Sequence, residues 1–175
     1  MEPVNIRQVF GGRLIHVTVE TWPAGDREVV HHPGACAVLA LTTADEVVLV
    51  RQYREAVRES LLEIPAGVLD VPGEDAAGCA ARELLEETGY RADAPPEPLG
   101  WIYTSPGFAD ERIELFVARN VEPSGSGPSP DEDIEVVILP FASAIRAIGE
   151  GRIVDAKTIV ALLGVRRPPD DRGLC

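Results

Sequence analysis

The sequence has few cysteines, a deficit of basic side chains and no long apolar run. Its three cysteines, Cys36, Cys79 and Cys175, are too widely spaced to form a metal-binding motif. We expect two buried thiols and a free terminal one, as is typical of the reducing cytoplasm. No apolar run is long enough to cross a bilayer, and residues 1–8 lack the pattern of a signal peptide. The sequence therefore predicts a cytoplasmic protein without a membrane partner.

The shortage of basic residues limits the classes of partner. The chain has 16 Lys and Arg residues against 29 Asp and Glu residues, which gives a formal net charge of −13. A surface of this charge repels nucleic acid, so we expect no nucleic-acid partner. A small substrate that carries phosphate would meet the same repulsion unless arginines or a bound metal neutralised it locally.

Short segments with the patterns of strands and helices alternate along the 175 residues, which are enough for one domain. Turn residues between the first two strands predict an N-terminal β-hairpin, and the continuous apolar run at 35–42 predicts a strand buried on both faces. The tail at 166–175 is expected to be loose. The pattern predicts an α/β domain with strands at 14–19, 28–30, 35–42, 47–50, 61–64, 99–104, 112–118 and 134–139, and helices at 75–88, 141–148 and 156–163.

The segment at 75–88 is the clearest helix. It is rich in alanine and leucine, and Gly89 stands where a C-terminal cap is expected. Helical spacing predicts one apolar stripe along it, formed by Ala77, Ala80, Ala81, Leu84 and Thr88.

Three carboxylates lie beside this stripe, on Glu83, Glu86 and Glu87. Residues three and four apart are neighbours on a helix, so the three charges repel one another unless a cation lies between them. Mg²⁺ is a hard cation that prefers such oxygen ligands and binds substrate phosphates as well. The alternative is that the acidic run is simply a solvated helix face, which is the ordinary role of such runs.

The segment around this helix resembles the box of the Nudix hydrolases. The family pattern of a Gly, a Glu and an Arg-Glu-rich helix is matched by Gly67, Glu74 and residues 82–90. One departure is an extra residue in 68–73, since six residues instead of five separate Gly67 from Glu74. An insertion in a loop has a small energetic cost, so we expect it to change the loop and leave the helix unaffected.

The resemblance implies a fold, a reaction and a set of residue roles. The fold is a mixed β-sheet sandwiched between helices, and the reaction is attack of water on a nucleoside diphosphate linked to another group. Arg82 and Glu74 are expected to form an ion pair between loop and helix. The implied metal is Mg²⁺, with Mn²⁺ as an alternative, and its implied ligands are the carbonyl of Ala66 and the side chains of Glu83, Glu86 and Glu87.

Four further segments, at 27–34, 63–67, 103–111 and 155–158, resemble the ADP-ribose pyrophosphatase subfamily. This resemblance implies hydrolysis of ADP-ribose to AMP and ribose 5-phosphate. It also implies a homodimer. Each chain would form a Nudix domain at 34–165, and its N-terminal strands at 1–33 would cross to the partner subunit. The alternatives are another nucleoside diphosphate sugar or dinucleotide as substrate, or a non-catalytic module that senses nucleotides.

The resemblance also assigns substrate contacts. Arg27 and Glu28 correspond to residues that contact adenine and ribose. The alternative for Glu28 is that its charge lies on an edge strand and prevents aggregation. The ribose end of the site is expected to be shaped by Ser105, Gly107 and Glu111.

Arg51 and Arg54 precede the box and are the cations that a diphosphate would need. The alternative is that both only pair with Glu55 or Glu59. The resemblance to the subfamily also implies a catalytic carboxylate in the loop after residue 123. We assign it to Glu132, with Asp131 and a glutamate of the box as alternatives, and closing of the loop would bring it to the attacking water. The other reading is that this acidic run is an ordinary solvated loop.

Overall fold

The computed structural model describes residues 1–125 and 133–165. In chain order the elements are β1 (Asn5–Gly11), β2 (His16–Trp22), β3 (Gly25–His31), β4 (Ala35–Leu41), β5 (Glu46–Arg54), β6 (Glu59–Glu63), β7 (Ala66–Val68), α1 (Ala76–Thr88), β8 (Tyr90–Arg91), β9 (Glu97–Tyr103), β10 (Arg112–Arg119), β11 (Glu122–Pro123), β12 (Ile134–Pro140), α2 (Phe141–Gly149) and α3 (Ala156–Val165). The predicted Glu132 and the tail at 166–175 lie outside the described residues.

The central sheet has seven strands and mixed directions. Its main path runs β12-β5-β4-β10-β9, with β6 paired to β5 and β7 paired to β4. Only the pairing of β4 with β10 is parallel among these, and the other pairings are antiparallel. The predicted α/β class and mixed sheet are therefore confirmed.

The middle strand β4 shows how the sheet is sandwiched. All seven of its residues are buried, as the apolar run predicts. Alternate side chains point to opposite faces of a strand. Leu39 and its neighbours on one face pack with the core residues of α2 and α3, whereas Val38 and its neighbours on the other face pack with α1. The chain thus builds two apolar layers, one on each side of the sheet.

The N-terminal strands form a separate antiparallel sheet with the order β1-β2-β3. The predicted hairpin is β2 and β3, paired in register from His16 with His31 to Trp22 with Gly25. Strand β1 was not predicted, because every one of its residues is exposed and a strand without a buried face has no apolar alternation. The short strands β7, β8 and β11 are missing from the prediction for a related reason, since two or three residues are too few to show a period.

The predicted helix α1 and its C-terminal cap at Gly89 are confirmed, whereas Asp75, predicted as the first helical residue, is the N-terminal cap. Asp75 accepts a hydrogen bond from the amide of Gly78, and Gly89 ends the helix in the left-handed region at φ 71°. The predicted apolar stripe is wrong at Ala81, which is exposed, and Cys79 is buried in the stripe instead. The predicted free thiols are confirmed at Cys36 and Cys79, where burial raises the pKa of both. Among the described residues no helix is both long and apolar enough to traverse a membrane.

Candidate active site

Helix α1 lies directly against the strand that precedes it, and Gly67 is the point of closest approach. A Cβ atom at Gly67 would lie 2.0 Å from Oε1 of Glu83. Glycine leaves room here for the Glu83 side chain, which a larger residue would displace. Residues 68–73, which include the extra residue, follow this contact and turn at Gly73, whose φ is 84°. That the insertion changes only the loop stays a prediction.

Glu87 makes the second contact between α1 and the same strand. Its Oε2 accepts a hydrogen bond of 3.2 Å from the amide of Ala66, and its residue is only 7% exposed. A buried carboxylate on a helix is unusual unless it is hydrogen-bonded or binds a cation. The structure thus brings together Ala66, Glu83 and Glu87, which were all predicted as metal ligands.

Arg82 is the main cation of this region. Its Nε and Nη2 donate to the carboxylate of Glu74 at 3.1 and 3.0 Å, which confirms the predicted ion pair. Its Nη1 donates to Glu83 at 2.7 Å and to Glu86 at 2.8 Å. The hydrogen bond with Glu74 is the largest cause of a pKa above the usual range for Arg82, and burial opposes it. One guanidinium therefore contacts three carboxylates and offsets only part of their charge.

These donors fit a divalent metal chemically, although they are not arranged around one. The oxygens of Glu83 and Glu86 already share a single cationic nitrogen, which shows that both can reach one positive centre. Hard carboxylate oxygens are also what Mg²⁺ prefers. Within the described ranges, however, no three His, Cys, Asp or Glu side chains converge on a common metal position. A metal between Glu83 and Glu86 would have to displace Nη1 of Arg82.

Arg54 does not pair with Glu55 or Glu59, the partners proposed in the alternative. Its Nε and Nη2 each donate to the carboxylate of Glu63 at 2.7 Å. Glu63 is 1% exposed and also accepts from Nζ of Lys157. Burial by itself raises the pKa of Glu63, but the hydrogen bonds and charges of Arg54 and Lys157 outweigh it and hold the pKa below the usual value. The charge of Glu87 acts on Arg54 as well, so Arg54 belongs to the same region as α1.

Arg51 lies in a different environment. Its Nε donates to Glu135 on the neighbouring strand β12 at 3.1 Å, and both side chains are largely exposed. The side chain of Arg51 is therefore directed towards strand β12 and away from α1. This partner is neither Glu55 nor Glu59, the partners of the alternative, because Glu135 of β12 lies directly opposite Arg51 in the sheet.

Several predicted substrate residues line one cavity of about 420 Å³ between the N-terminal sheet and the loop after β9. Arg27, Glu28 and Gly107 all contribute to its wall. The remaining lining includes three aromatic side chains that the sequence reasoning assigned no role, on Trp22, Tyr103 and Phe108. Ser105 and Glu111 lie beside it in the same loop and stabilise its turn. Ser105 accepts backbone hydrogen bonds, and Glu111 accepts from the hydroxyl of Thr104 at 2.7 Å.

Strand β3 is held to this loop by His31 and Asp110. The Nδ1 of His31 lies 2.6 Å from Oδ2 of Asp110, and the amide of His32 donates to the other oxygen at 2.9 Å. The amide of Val30 also donates to the carbonyl of Phe108 at 2.8 Å. Burial raises the pKa of the Asp110 carboxyl, but the bonds from His32 and His31 outweigh it and lower the pKa overall. The sequence analysis assigned no role to either residue. The signals that could have identified them are the His-His pair at 31–32 and the Asp-Glu pair at 110–111.

The comparisons with known proteins agree with this architecture. The NUDIX domain family matches residues 30–162. A methanol dehydrogenase activator of Bacillus methanolicus is 41% identical over 91% of this chain and 89% of the relative. An ADP-ribose pyrophosphatase of Bacillus subtilis (strain 168) is 38% identical over 89% of this chain and 86% of the relative. The crystal structure of an ADP compounds hydrolase shares the fold at a TM-score of 0.78 and 23% identity, with 95% of this chain and 93% of that one covered. The chain belongs to the NUDIX family and is a Nudix hydrolase.

Proposed function

We propose that this protein hydrolyses the diphosphate linkage of ADP-ribose, with Mg²⁺, to AMP and ribose 5-phosphate. The observation that carries the proposal is the contact of α1 with the strand before it. The Glu83 side chain packs against Gly67, and Glu87 accepts a hydrogen bond from the amide of Ala66. The two carboxylates therefore lie beside adjacent residues of this strand. The similarity to the ADP-ribose pyrophosphatase of Bacillus subtilis supports the choice of substrate.

In this proposal Mg²⁺ would be held by Glu83, Glu86, Glu87 and the carbonyl of Ala66, and Mn²⁺ is the alternative ion. When bound, such a metal neutralises phosphate charge and lowers the pKa of a coordinated water. Binding would separate Arg82 from Glu83 and Glu86 while Glu74 retains it. Glu132 is the proposed base for the attacking water, with Asp131 or a glutamate of α1 as alternatives.

The diphosphate requires cations in a protein with a net charge of −13. We assign this role to Arg54, whose side chain is 39% exposed although its partner Glu63 is buried. An arginine held in this way offers its remaining nitrogen to a phosphate oxygen without reorienting. Arg51 stays a prediction, and its exposed pair with Glu135 gives it no such orientation.

The cavity beside the N-terminal sheet is the proposed nucleoside site. A volume of about 420 Å³ suits a nucleoside, and aromatic walls with a few polar groups are typical of such sites. Trp22, Tyr103 and Phe108 would contact the base, while Arg27 and Glu28 would supply polar contacts to base and ribose. Ser105, Gly107 and Glu111 keep their proposed role at the ribose end.

We also propose a homodimer formed through residues 1–33. Strand β1 is exposed along its whole length, and its apolar side chains Ile6 and Phe10 are 58% and 53% exposed. An exposed strand with apolar side chains is expected to be covered by a partner. Light scattering should give twice the mass of one chain, and the pair of changes Ile6→Asp and Phe10→Asp should give a monomer. Arg7→Ala on the same strand is the matched control and should leave the dimer intact.

A cytoplasmic location is part of the proposal and is supported by the two buried free thiols, Cys36 and Cys79.

The direct test is an assay of AMP release from ADP-ribose by the purified protein. We expect release with Mg²⁺ and none after chelation. A panel of GDP-sugars and dinucleoside polyphosphates, compared by kcat/KM, then ranks the rival substrates. Absence of AMP release with every divalent metal tried would exclude the proposed reaction.

A second candidate function is a regulatory module that binds a nucleotide without turnover. It is favoured by one observation, the 41% identity to a relative named as an activator of methanol dehydrogenase. Calorimetric titration of ADP-ribose with and without Mg²⁺ separates the two functions. A sensor would bind ADP-ribose and leave it intact over hours, whereas the hydrolase would release AMP in the same cell.

A further inference from the structure

A group of four charged side chains, of which Glu63 and Lys157 are buried, lies where α3 begins. Glu63 accepts from Nε and Nη2 of Arg54, at 2.7 Å each, and from Nζ of Lys157. Lys157 is 8% exposed and also donates to Oδ1 of Asp155 at 3.1 Å. Two cations and two carboxylates therefore balance one another, and Lys157 is shared between the carboxylates.

The same group fastens α3 to the end of β6. The second oxygen of Asp155 accepts from the amide of Thr158 at 3.0 Å and from its hydroxyl at 2.6 Å. The hydroxyl oxygen of Thr158 in turn accepts from the amide of Ile64 at 2.9 Å. Two successive residues of the chain, Glu63 and Ile64, are thus held by the first turn of α3, just before Ala66.

This arrangement determines the orientation of Arg54. Two of its guanidinium nitrogens are occupied by Glu63, and the planar group cannot turn without breaking both bonds. Removal of one member of a buried charge group leaves the others uncompensated, which strongly favours rearrangement of the remaining members. If Lys157 were removed, Glu63 and Asp155 would face each other without their shared cation, and Arg54 would be drawn towards both.

We propose that Lys157 is a positioning residue for the reaction, and that it acts through Glu63 to hold the guanidinium of Arg54 where it meets the diphosphate. The inference rests on the proposed role of Arg54 in substrate binding. It assigns Lys157 no contact with substrate, so its effect on catalysis must disappear when Arg54 is absent.

A double-mutant cycle tests this dependence. Lys157→Met keeps the length of the side chain and removes its charge. We expect it to lower kcat/KM about 10- to 100-fold, mainly through KM, because a displacement of about 1 Å at a reacting group has effects of this size. Arg54→Ala should lower kcat/KM at least as much. In the Arg54→Ala background, Lys157→Met should change kcat/KM by less than about threefold.

The matched control is Ile153→Val, a mild truncation of a core residue just before α3. It should lower stability slightly and leave KM unchanged. Urea unfolding of every variant separates loss of fold from loss of positioning. The cycle is measured on the substrate of the panel that the wild type hydrolyses fastest, so its outcome does not depend on ADP-ribose being that substrate.

A second readout needs no turnover. The Nε–H of Arg54 should give a slowly exchanging signal in nitrogen-15 NMR, assigned by its loss in Arg54→Ala. Lys157→Met should shift or broaden this signal, and Ile153→Val should not. Lys157→Gln, which keeps a donor towards Glu63, replaces Lys157→Met if the latter does not fold. An unchanged Arg54 signal, or equal losses from Lys157→Met with and without Arg54, would overturn the proposal. If no substrate is hydrolysed, the proposed function fails. The NMR comparison still decides whether Lys157 holds the guanidinium of Arg54.

Discussion

The glutamate site on α1 and the cavity beside the N-terminal sheet are built by contacts of very different range. Arg82 finds Glu74, Glu83 and Glu86 within eight residues of itself along the chain. The cavity depends on His31 and Asp110, which are 79 residues apart. A site of the first kind is encoded by helical spacing, whereas a site of the second kind exists only when two distant segments meet.

The two regions also differ in how their charges are balanced. On α1 the carboxylates contact a neighbouring arginine that a metal can replace. At the cavity, the Asp110 carboxylate is bound by the side chain of His31, at the end of β3, and by the amide of His32 just after it, so it fastens two segments together. We therefore expect substitutions on α1 to reduce turnover, and substitutions at the cavity to weaken binding.

The largest effect is expected for Glu87→Gln. The change removes a charge from a proposed metal ligand and keeps the shape that accepts from the Ala66 amide. We expect kcat to fall by a factor on the order of 10²–10³, as for loss of one electrostatic group in other active sites. Steady-state kinetics with Mg²⁺ measures it. Glu97→Gln, on an exposed residue of β9, is the control, and equal rates for both variants would remove Glu87 from the metal site.

Gly67→Ala should have the next largest effect. Its new Cβ would lie 2.0 Å from Oε1 of Glu83, so the Glu83 side chain must be displaced from its position against the strand. We expect a loss of about 1–3 kcal/mol in the free energy of unfolding, together with a fall in kcat. Urea unfolding and kinetics measure the two losses. Gly149→Ala meets nothing within 4 Å and is the matched control. A Gly67→Ala protein with wild-type stability would contradict the close approach.

Asp110→Asn tests the other region. The change weakens the bonds from His31 and His32, and a charge-assisted hydrogen bond contributes about 1.5–3 kcal/mol. We expect KM to rise about tenfold while kcat changes little. Asp93→Asn, on an exposed residue, should change neither. A fall in kcat with unchanged KM would mean that the cavity takes part in the chemical step.

The same carboxylate predicts a pH dependence. The pKa of Asp110 is below its ordinary value of 3.8 in the folded protein, because the bonds from His32 and His31 outweigh the effect of burial. The resulting stability is present above the unfolded value and is lost as the pH falls through the folded one. The difference in unfolding free energy between wild type and Asp110→Asn should therefore shrink in strong acid. Urea titrations from pH 7 to below pH 3.8 measure it.

Arg51→Ala should have the smallest effect. Its pair with Glu135 is exposed on both sides, and such pairs contribute about 0–1 kcal/mol. We expect kcat/KM to change by less than about twofold, against a large loss for Arg54→Ala. A loss in Arg51→Ala as large as that in Arg54→Ala would return Arg51 to the substrate site.

Much of the fold follows from local patterns. The apolar run of β4, the helical pattern of α1 and the cap at Gly89 all depend on residues close in sequence, so they were predicted correctly. The errors have two causes. Strand β1 has no buried face and therefore no alternation of apolar and polar residues, and Ala81 is too small to show from its chemistry whether it points inwards.

The sequence by itself determined the mixed α/β fold, the family resemblance and the run of carboxylates on one helix, because these features depend on spacing along the chain. Only the tertiary structure decided which charges meet. It paired both Arg54 and Lys157 with Glu63, Arg51 with Glu135, and Asp110 with His31. The physical reason is that an ion pair depends on distance in space, and the packing of sheet and helices sets that distance for residues far apart in the chain.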